Sequence, residues 1–192
     1  MKRPARAAFA AGLILGIGAP LSALTIRAGL AYGPRSINDA LITTTYHPGS
    51  VFIPSLEFAF GKGWFVGAGY ETGPEMSGTL GLYGSSARFA LSGLEIYGGY
   101  EYGMKSFAVF IRGGYGRFSY KQTVDYAYVQ DYPVDGTGSA FLAAAGLKYY
   151  PWKFIDVSAE AKYVVLKVKP YDQSVDLGGW RLLAGLGFVF DF

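Results

Sequence analysis

The sequence contains one histidine, His47, and it is the side chain best suited to acid–base catalysis. A histidine activates a hydroxyl nucleophile when the two groups are hydrogen-bonded and an acid orients the ring. The residues that would complete such a set are Ser77, Ser85, Ser86 and Glu75. No recognisable catalytic motif includes these residues, so a solvated loop histidine is the preferred interpretation of His47.

Metal and thiol chemistry have little support in the sequence. There is no cysteine, which excludes thiol nucleophiles and thiolate ligands, and His47 has no second histidine to share a transition metal. We therefore expect neither a metal site nor a cofactor.

A tyrosine-rich segment between Asp125 and Asp135 has the composition of a contact surface. Tyrosine supplies a large contact area at a low entropic cost, and here it alternates with acidic residues. The segment predicts either a surface for an extracellular protein partner or a hairpin that extends two strands.

The N-terminus has the pattern of a secretory signal peptide. Lys2, Arg3 and Arg6 precede an apolar run, Ala7 to Gly18, that is too short to span a bilayer. A small residue, Ala23, predicts cleavage after position 23, so residues 1–23 form the predicted signal peptide. Its removal leaves as many basic as acidic residues, with no basic patch for nucleic acid and no polybasic run for a membrane surface.

The remaining chain, 24–192, has an apolar excess that is distributed with a period of two. The protein is 51% hydrophobic and only 16% charged, yet after residue 23 no stretch is long enough for a membrane helix. Eight segments alternate strictly and keep every charge off one face, as a lipid-facing surface requires. They are 24–32, 55–60, 64–71, 94–102, 107–116, 140–149, 155–163 and 181–192.

Eight such strands predict an all-β fold, an antiparallel up-and-down transmembrane β-barrel. A soluble barrel uses the same alternation with its apolar face inward, but so many aromatic side chains would not fit inside eight strands. The connections also alternate between tight turns, such as Gly61–Gly63, and long loops, such as Gly33–Ser50 and Lys121–Ser139. Short periplasmic turns opposite long outer loops are typical of outer-membrane barrels.

These residues resemble the eight-stranded bacterial outer-membrane β-barrel superfamily, which includes the OmpA membrane domain, OmpX and the OmpW-like barrels. The most specific element is the alternating C-terminus, which ends on a terminal phenylalanine. In this superfamily such an ending resembles the signal read by the β-barrel assembly machinery. The resemblance therefore implies an assembly role for Phe188, Phe190 and Phe192.

The charged face of the strands is predicted to line the lumen. Because an unpaired buried charge is costly, we expect opposite charges to pair there and to fill an interior that eight strands leave narrow. The predicted inward cations are Arg27, Arg112, Lys148, Lys162 and Arg181, and the predicted inward carboxylates are Glu57, Glu71, Glu95, Glu101, Asp156, Glu160 and Asp191.

The sequence therefore predicts an integral outer-membrane barrel with a structural or adhesin-like surface-interaction role and no catalysis. Its expected partners are outer-membrane lipids, the assembly machinery during biogenesis and an extracellular protein bound through the long loops. Two alternatives remain open: a lipid A-modifying enzyme that uses His47, and a porin-like narrow passage for small solutes.

Overall fold

The computed structural model describes residues 24–61, 63–80, 84–126, 129–170 and 173–192, with the backbone alone at 126 and 129–132. The predicted signal peptide lies outside the described residues. The elements are β1 (Leu24–Pro34), α1 (Ala40–Tyr46), β2 (Ser50–Phe60), β3 (Trp64–Glu71), β4 (Met76–Leu80), β5 (Ser85–Met104), β6 (Phe107–Tyr126), β7 (Val129–Trp152), β8 (Ile155–Val168), β9 (Val175–Asp176) and β10 (Gly179–Asp191).

Eight of the described strands form a closed antiparallel ring. The order is β10, β1, β2, β3, β5, β6, β7 and β8, and β8 pairs with β10 to close it. The two short strands extend this wall, because β4 pairs with the beginning of β5 and β9 pairs with the end of β8. The predicted all-β barrel is thus confirmed, and in the part of the chain that is described no helix is long and apolar enough to cross a membrane.

The apolar residues of the alternating segments lie on the outside of the ring. Ile96, Ile111, Phe141 and Leu182 are between 58% and 67% exposed, and they belong to a belt that surrounds the barrel. Closure pairs the backbone of every strand with a neighbour, which is what an apolar medium requires. An exposed apolar belt around a closed barrel is the surface of a protein embedded in lipid.

The barrel wall is much taller on one side. A membrane-spanning strand needs about 9–11 residues, whereas β5 and β6 have 20 each and β7 has 24. One of the tight turns joins β2 to β3, and there Gly61 and Gly63 adopt positive φ. The extra length of β5, β6 and β7 lies at the opposite end of the barrel from these turns. We call this excess the extracellular extension; it comprises residues 85–92, 117–126, 129–139, 164–168 and the short strands β4 and β9.

The prediction of a long loop over Lys121–Ser139 is wrong, because β6 continues to Tyr126 and β7 begins at Val129. The structure has the alternative hairpin instead. The loop predicted over Gly33–Ser50 likewise contains the helix α1, which begins where the Asp39 side chain accepts a hydrogen bond from the Ile42 amide at 3.1 Å. The helix ends at His47, whose backbone is left-handed.

Candidate functional site

The lumen within the membrane contains two clusters of paired ions. The lower cluster, nearer the tight turns, is centred on Arg27, which lies 2.8 Å from both Glu57 and Asp156. Lys148 lies 2.9 Å from Glu101 and 3.2 Å from Glu57. Its members are Arg27, Glu57, Glu101, Arg112, Lys148, Asp156 and Glu160.

The upper cluster lies nearer the extracellular end and has no exposure to solvent. Lys162 contacts Glu95 at 2.6 Å and Glu71 at 3.0 Å, and Arg181 contacts Glu71 at 3.2 Å. Lys162 and Arg181 are direct neighbours on β8 and β10, so the sheet itself places two like charges side by side. Glu71 on β3 contacts both cations and offsets this repulsion. Its ion pairs therefore connect β3 to β8 and β10, with which β3 shares no backbone hydrogen bonds.

Aromatic rings fill the space between the ions of the lower cluster. The Arg112 guanidinium lies 4.1 Å from the centroid of the Tyr97 ring, and the Lys148 ammonium lies 4.9 Å from that of Phe110. A cavity of only about 40 Å³ remains beside these side chains, while a second of about 350 Å³ opens at the periplasmic mouth around Tyr150 and Lys153. The first volume accommodates isolated water molecules and no solute.

The structure adds one cation to the predicted inward charges and places another predicted residue at the mouth of the lumen. Asp191 is on the inward side at the end of β10, where it lines the exposed periplasmic mouth and accepts a hydrogen bond from Thr25, so it belongs to neither cluster. Arg35, just after β1, is a buried inward cation outside the predicted strands; it donates to the Leu91 carbonyl at 3.3 Å. Apart from Asp191 at the mouth, the described part of the lumen holds six cations and six carboxylates: Arg27, Arg35, Arg112, Lys148, Lys162 and Arg181 against Glu57, Glu71, Glu95, Glu101, Asp156 and Glu160.

The lumen of the extracellular extension is apolar. Phe89 and Leu91 on β5, Phe118 on β6 and Leu166 on β8 all point inward and are at most 2% exposed. The segment around α1 packs into this core through Ile37, Ile42 and Tyr46, and the Gln122 amide donates to the Tyr46 hydroxyl at 2.6 Å. The extracellular end of the lumen is therefore filled by a hydrophobic core capped by α1.

The residues proposed for catalysis are not assembled. His47 is exposed at the end of α1, Ser77 is exposed in β4, and Ser85 and Ser86 begin β5. Among the described residues, no hydrogen bond or ion pair joins His47 to these serines or to Glu75, which is exposed as well.

The C-terminal phenylalanines face outward. Phe188, Phe190 and Phe192 are 49%, 52% and 75% exposed, and Phe188 and Phe190 lie opposite Ala28 and Ile26 where the last strand meets the first. The assembly role of these residues remains a prediction.

The fold and its outward belt define an eight-stranded outer-membrane β-barrel, and the predicted resemblance to that superfamily is confirmed at the level of the fold. A search of solved structures finds neisserial surface protein A at 17% identity and a TM-score of 0.54, with 88% of this chain and 99% of that chain covered. Ail, the attachment invasion locus protein of Yersinia pestis, matches at 15% identity and 0.52, covering 89% and 100%. A major outer membrane protein from Thermus thermophilus matches at 10% identity and 0.63, covering 87% and 99%.

Neither a protein-family model nor a curated protein matches this sequence. At these identities the likeness concerns the fold alone.

Proposed function

We propose that this protein is a closed, non-catalytic barrel that holds a rigid extracellular extension above the outer membrane for contact with an extracellular partner. The observation that carries the proposal is the apolar core capped by α1. This core gives the extension an interior of its own, so a sheet surface stands beyond the lipid as a folded unit.

The filled lumen supports a structural role over transport. A solute entering from outside would have to displace α1 and the side chains around Phe118, then break the fully buried contacts of Lys162. Breaking buried ion pairs costs several kcal/mol. We therefore expect planar bilayers that contain the protein to show no steady single-channel current; regular currents at wild-type stability would contradict a closed barrel.

The exposed positions of His47, Ser77 and Glu75 support the absence of catalysis. An enzyme of nucleophilic type needs its base within about 3 Å of the hydroxyl, held by a third group. Mass spectrometry of lipid A from cells with and without the protein tests this directly. A mass change that disappears in the His47→Ala variant would show the protein to be an enzyme.

The role of the extension is tested by removing its tip. Residues 123–133 can be replaced by Asn-Gly, which keeps Gln122 opposite Val134 and provides a two-residue hairpin turn. Ail, which has this fold, has been crystallised with the heparin analogue sucrose octasulfate, so heparin and extracellular-matrix proteins are suitable coated surfaces. Cells with the intact barrel should adhere to at least one surface, and cells with the trimmed barrel should not.

The trimmed barrel must still migrate faster in SDS before boiling than after it, which shows that the membrane part is folded. Equal adhesion by the two folded proteins, or by cells without either, would contradict a role for the hairpin in contact.

A further inference from the structure

The cavity at the periplasmic mouth is a blind pocket at one end of the lumen. Its volume of about 350 Å³ falls in the range of small-molecule sites, about 300–1,000 Å³. Arg27, only 7% exposed, forms part of its inner wall, and beyond this wall the lumen holds the cavity of about 40 Å³. A small molecule can therefore enter the mouth from the periplasm but cannot continue through the barrel.

The charges of the inner wall satisfy one another. The Tyr150 hydroxyl accepts a hydrogen bond from Arg27 Nη2 at 2.6 Å and donates one to Glu101 Oε1. Glu101 also lies 2.9 Å from Lys148. Because each of these charges already has an opposite partner inside the lumen, the inner wall offers polar contacts in fixed positions and no free charge.

The rim of the cavity carries one free charge of each sign. Lys153, in the turn between β7 and β8, and Asp191, at the end of β10, are both exposed and line the cavity. Among the described residues neither has an oppositely charged atom within 4.0 Å, and Asp191 accepts only the Thr25 hydroxyl at 2.6 Å. The Phe154 carbonyl accepts the Val189 amide at 3.0 Å, so the two charges lie on the same side of the mouth.

Apolar side chains form the rest of the cavity floor. Phe65 of β3 and Val189 of β10 are at most 8% exposed, and they line the cavity together with Ala59 of β2. A ligand that covers these side chains gains free energy from the apolar area that it removes from water. The mouth thus combines an apolar floor with a cation and an anion at its rim.

We propose that the periplasmic mouth binds a small zwitterion with an apolar side chain, which is a free α-amino acid or a short peptide. The carboxylate of the ligand meets Lys153, its ammonium meets Asp191, and its side chain lies on Phe65 and Val189. A zwitterion fits better than a simple anion or cation, because an ion of one sign would face an unpaired like charge at the rim. This inference does not depend on an extracellular protein partner.

The test uses isotopically labelled residues 24–192 in phospholipid nanodiscs, titrated with leucine and with leucyl-leucine. A small ligand held at exposed charges should bind with a Kd of about 1 mM. Amide resonances of Gly61, Gly63, Lys153 and Asp191 should shift saturably, while those of residues 117–126 in the extracellular extension stay unchanged. Saturable binding of either ligand supports the proposal, and the tighter one assigns the ligand to free amino acids or to peptides.

Matched variants test the two charges. Lys153→Gln and Asp191→Asn should each raise the Kd about fivefold, the upper range for an exposed charge pair. The controls are Lys105→Gln, in a tight turn that does not line the cavity, and Asp135→Asn, on the extracellular extension. Both controls should stay within about twofold of the wild type.

A modified ligand tests each contact on the wild-type protein. N-acetyl-leucine lacks the ammonium, so it should bind more weakly than leucine, and Asp191→Asn should no longer weaken its binding while Lys153→Gln still does. The proposal is overturned if neither leucine nor leucyl-leucine shifts the mouth resonances at about 10 mM, ten times the expected Kd. It is also overturned if N-acetyl-leucine binds as tightly as leucine, or if the control variants lose as much affinity as the rim variants.

Discussion

The membrane half of the barrel and its extracellular extension are built on the same strands with opposite chemistry. Along β6, Ile111 faces out and Arg112 faces in within the membrane, whereas Ser119 faces out and Phe118 faces in above it. The pleat does not change phase between these positions. The solvent outside changes from lipid to water, and the two faces exchange their polarity.

The difference shows that the two halves are stabilised by different forces. In water the extension gains free energy by burying Phe118 and its neighbours, as any soluble core does. Within lipid an apolar interior has no such advantage, because the surroundings are apolar as well. There, ion pairs across the lumen between β3, β8 and β10 fix which strands face one another, which is a specific contribution that apolar packing lacks.

The largest expected effect comes from breaking the upper cluster. Lys162→Met leaves both Glu71 and Glu95 without a buried amine, and we expect a loss of about 3–5 kcal/mol in the free energy of unfolding. Urea unfolding from lipid vesicles measures this loss. Adding Glu95→Gln to Lys162→Met should recover part of it, and a single variant as stable as the wild type would show that the cluster is not required.

The second prediction compares the stability effects of a charge at two outward positions of β6, one in the apolar belt and one in the extracellular extension. Ile111→Arg puts a charge in the middle of the belt and should destabilise the barrel by about 2–4 kcal/mol. Ser119→Arg, eight residues further along the same face, should change stability by less than about 0.5 kcal/mol, because it lies in water. Comparable losses from both variants in the same unfolding assay would mean that the belt does not end near Tyr115.

The smallest effect concerns the cap of the extension. Asp39→Ala removes the side-chain acceptor at the start of α1 and should weaken the helix locally by about 1 kcal/mol. Amide hydrogen exchange should accelerate in residues 40–46 while exchange in the membrane strands stays unchanged. Faster exchange throughout the barrel would show that the cap and the membrane half unfold together.

The alternation predicted the barrel because a charge-free face repeats without interruption in each strand. Several strands are longer than the alternation predicted, and the reason is equally physical. On β6 the outward odd positions are apolar up to Tyr115 and polar from Arg117, while apolar residues occupy inward even positions from Phe118. On β8 the last apolar outward position is Val165, and the inward even positions become apolar from Val164. A one-residue shift of the apolar set normally indicates a strand end or a change of register; here it marks the point where the strand leaves the membrane.

The candidate site, too, could be predicted only in part. The alternation placed the charges of the predicted strands, such as Arg27, Glu57 and Lys162, on the inward face. Arg35 was missed because the predicted first strand ends at Tyr32, although Arg35 continues its inward phase. The alternation gave Asp191 its inward side, and only the structure shows that the lumen is open to solvent there.

The sequence by itself determined which residues face lipid, because a pattern of period two and the cost of a charge in an apolar medium are local properties of each strand. Only the tertiary structure decided which charges meet, since Glu71 reaches Lys162 and Arg181 across the ring. These contacts join residues that are 91 and 110 positions apart. They depend on strand order, register and closure, which are properties of the whole barrel and are not encoded at any single position.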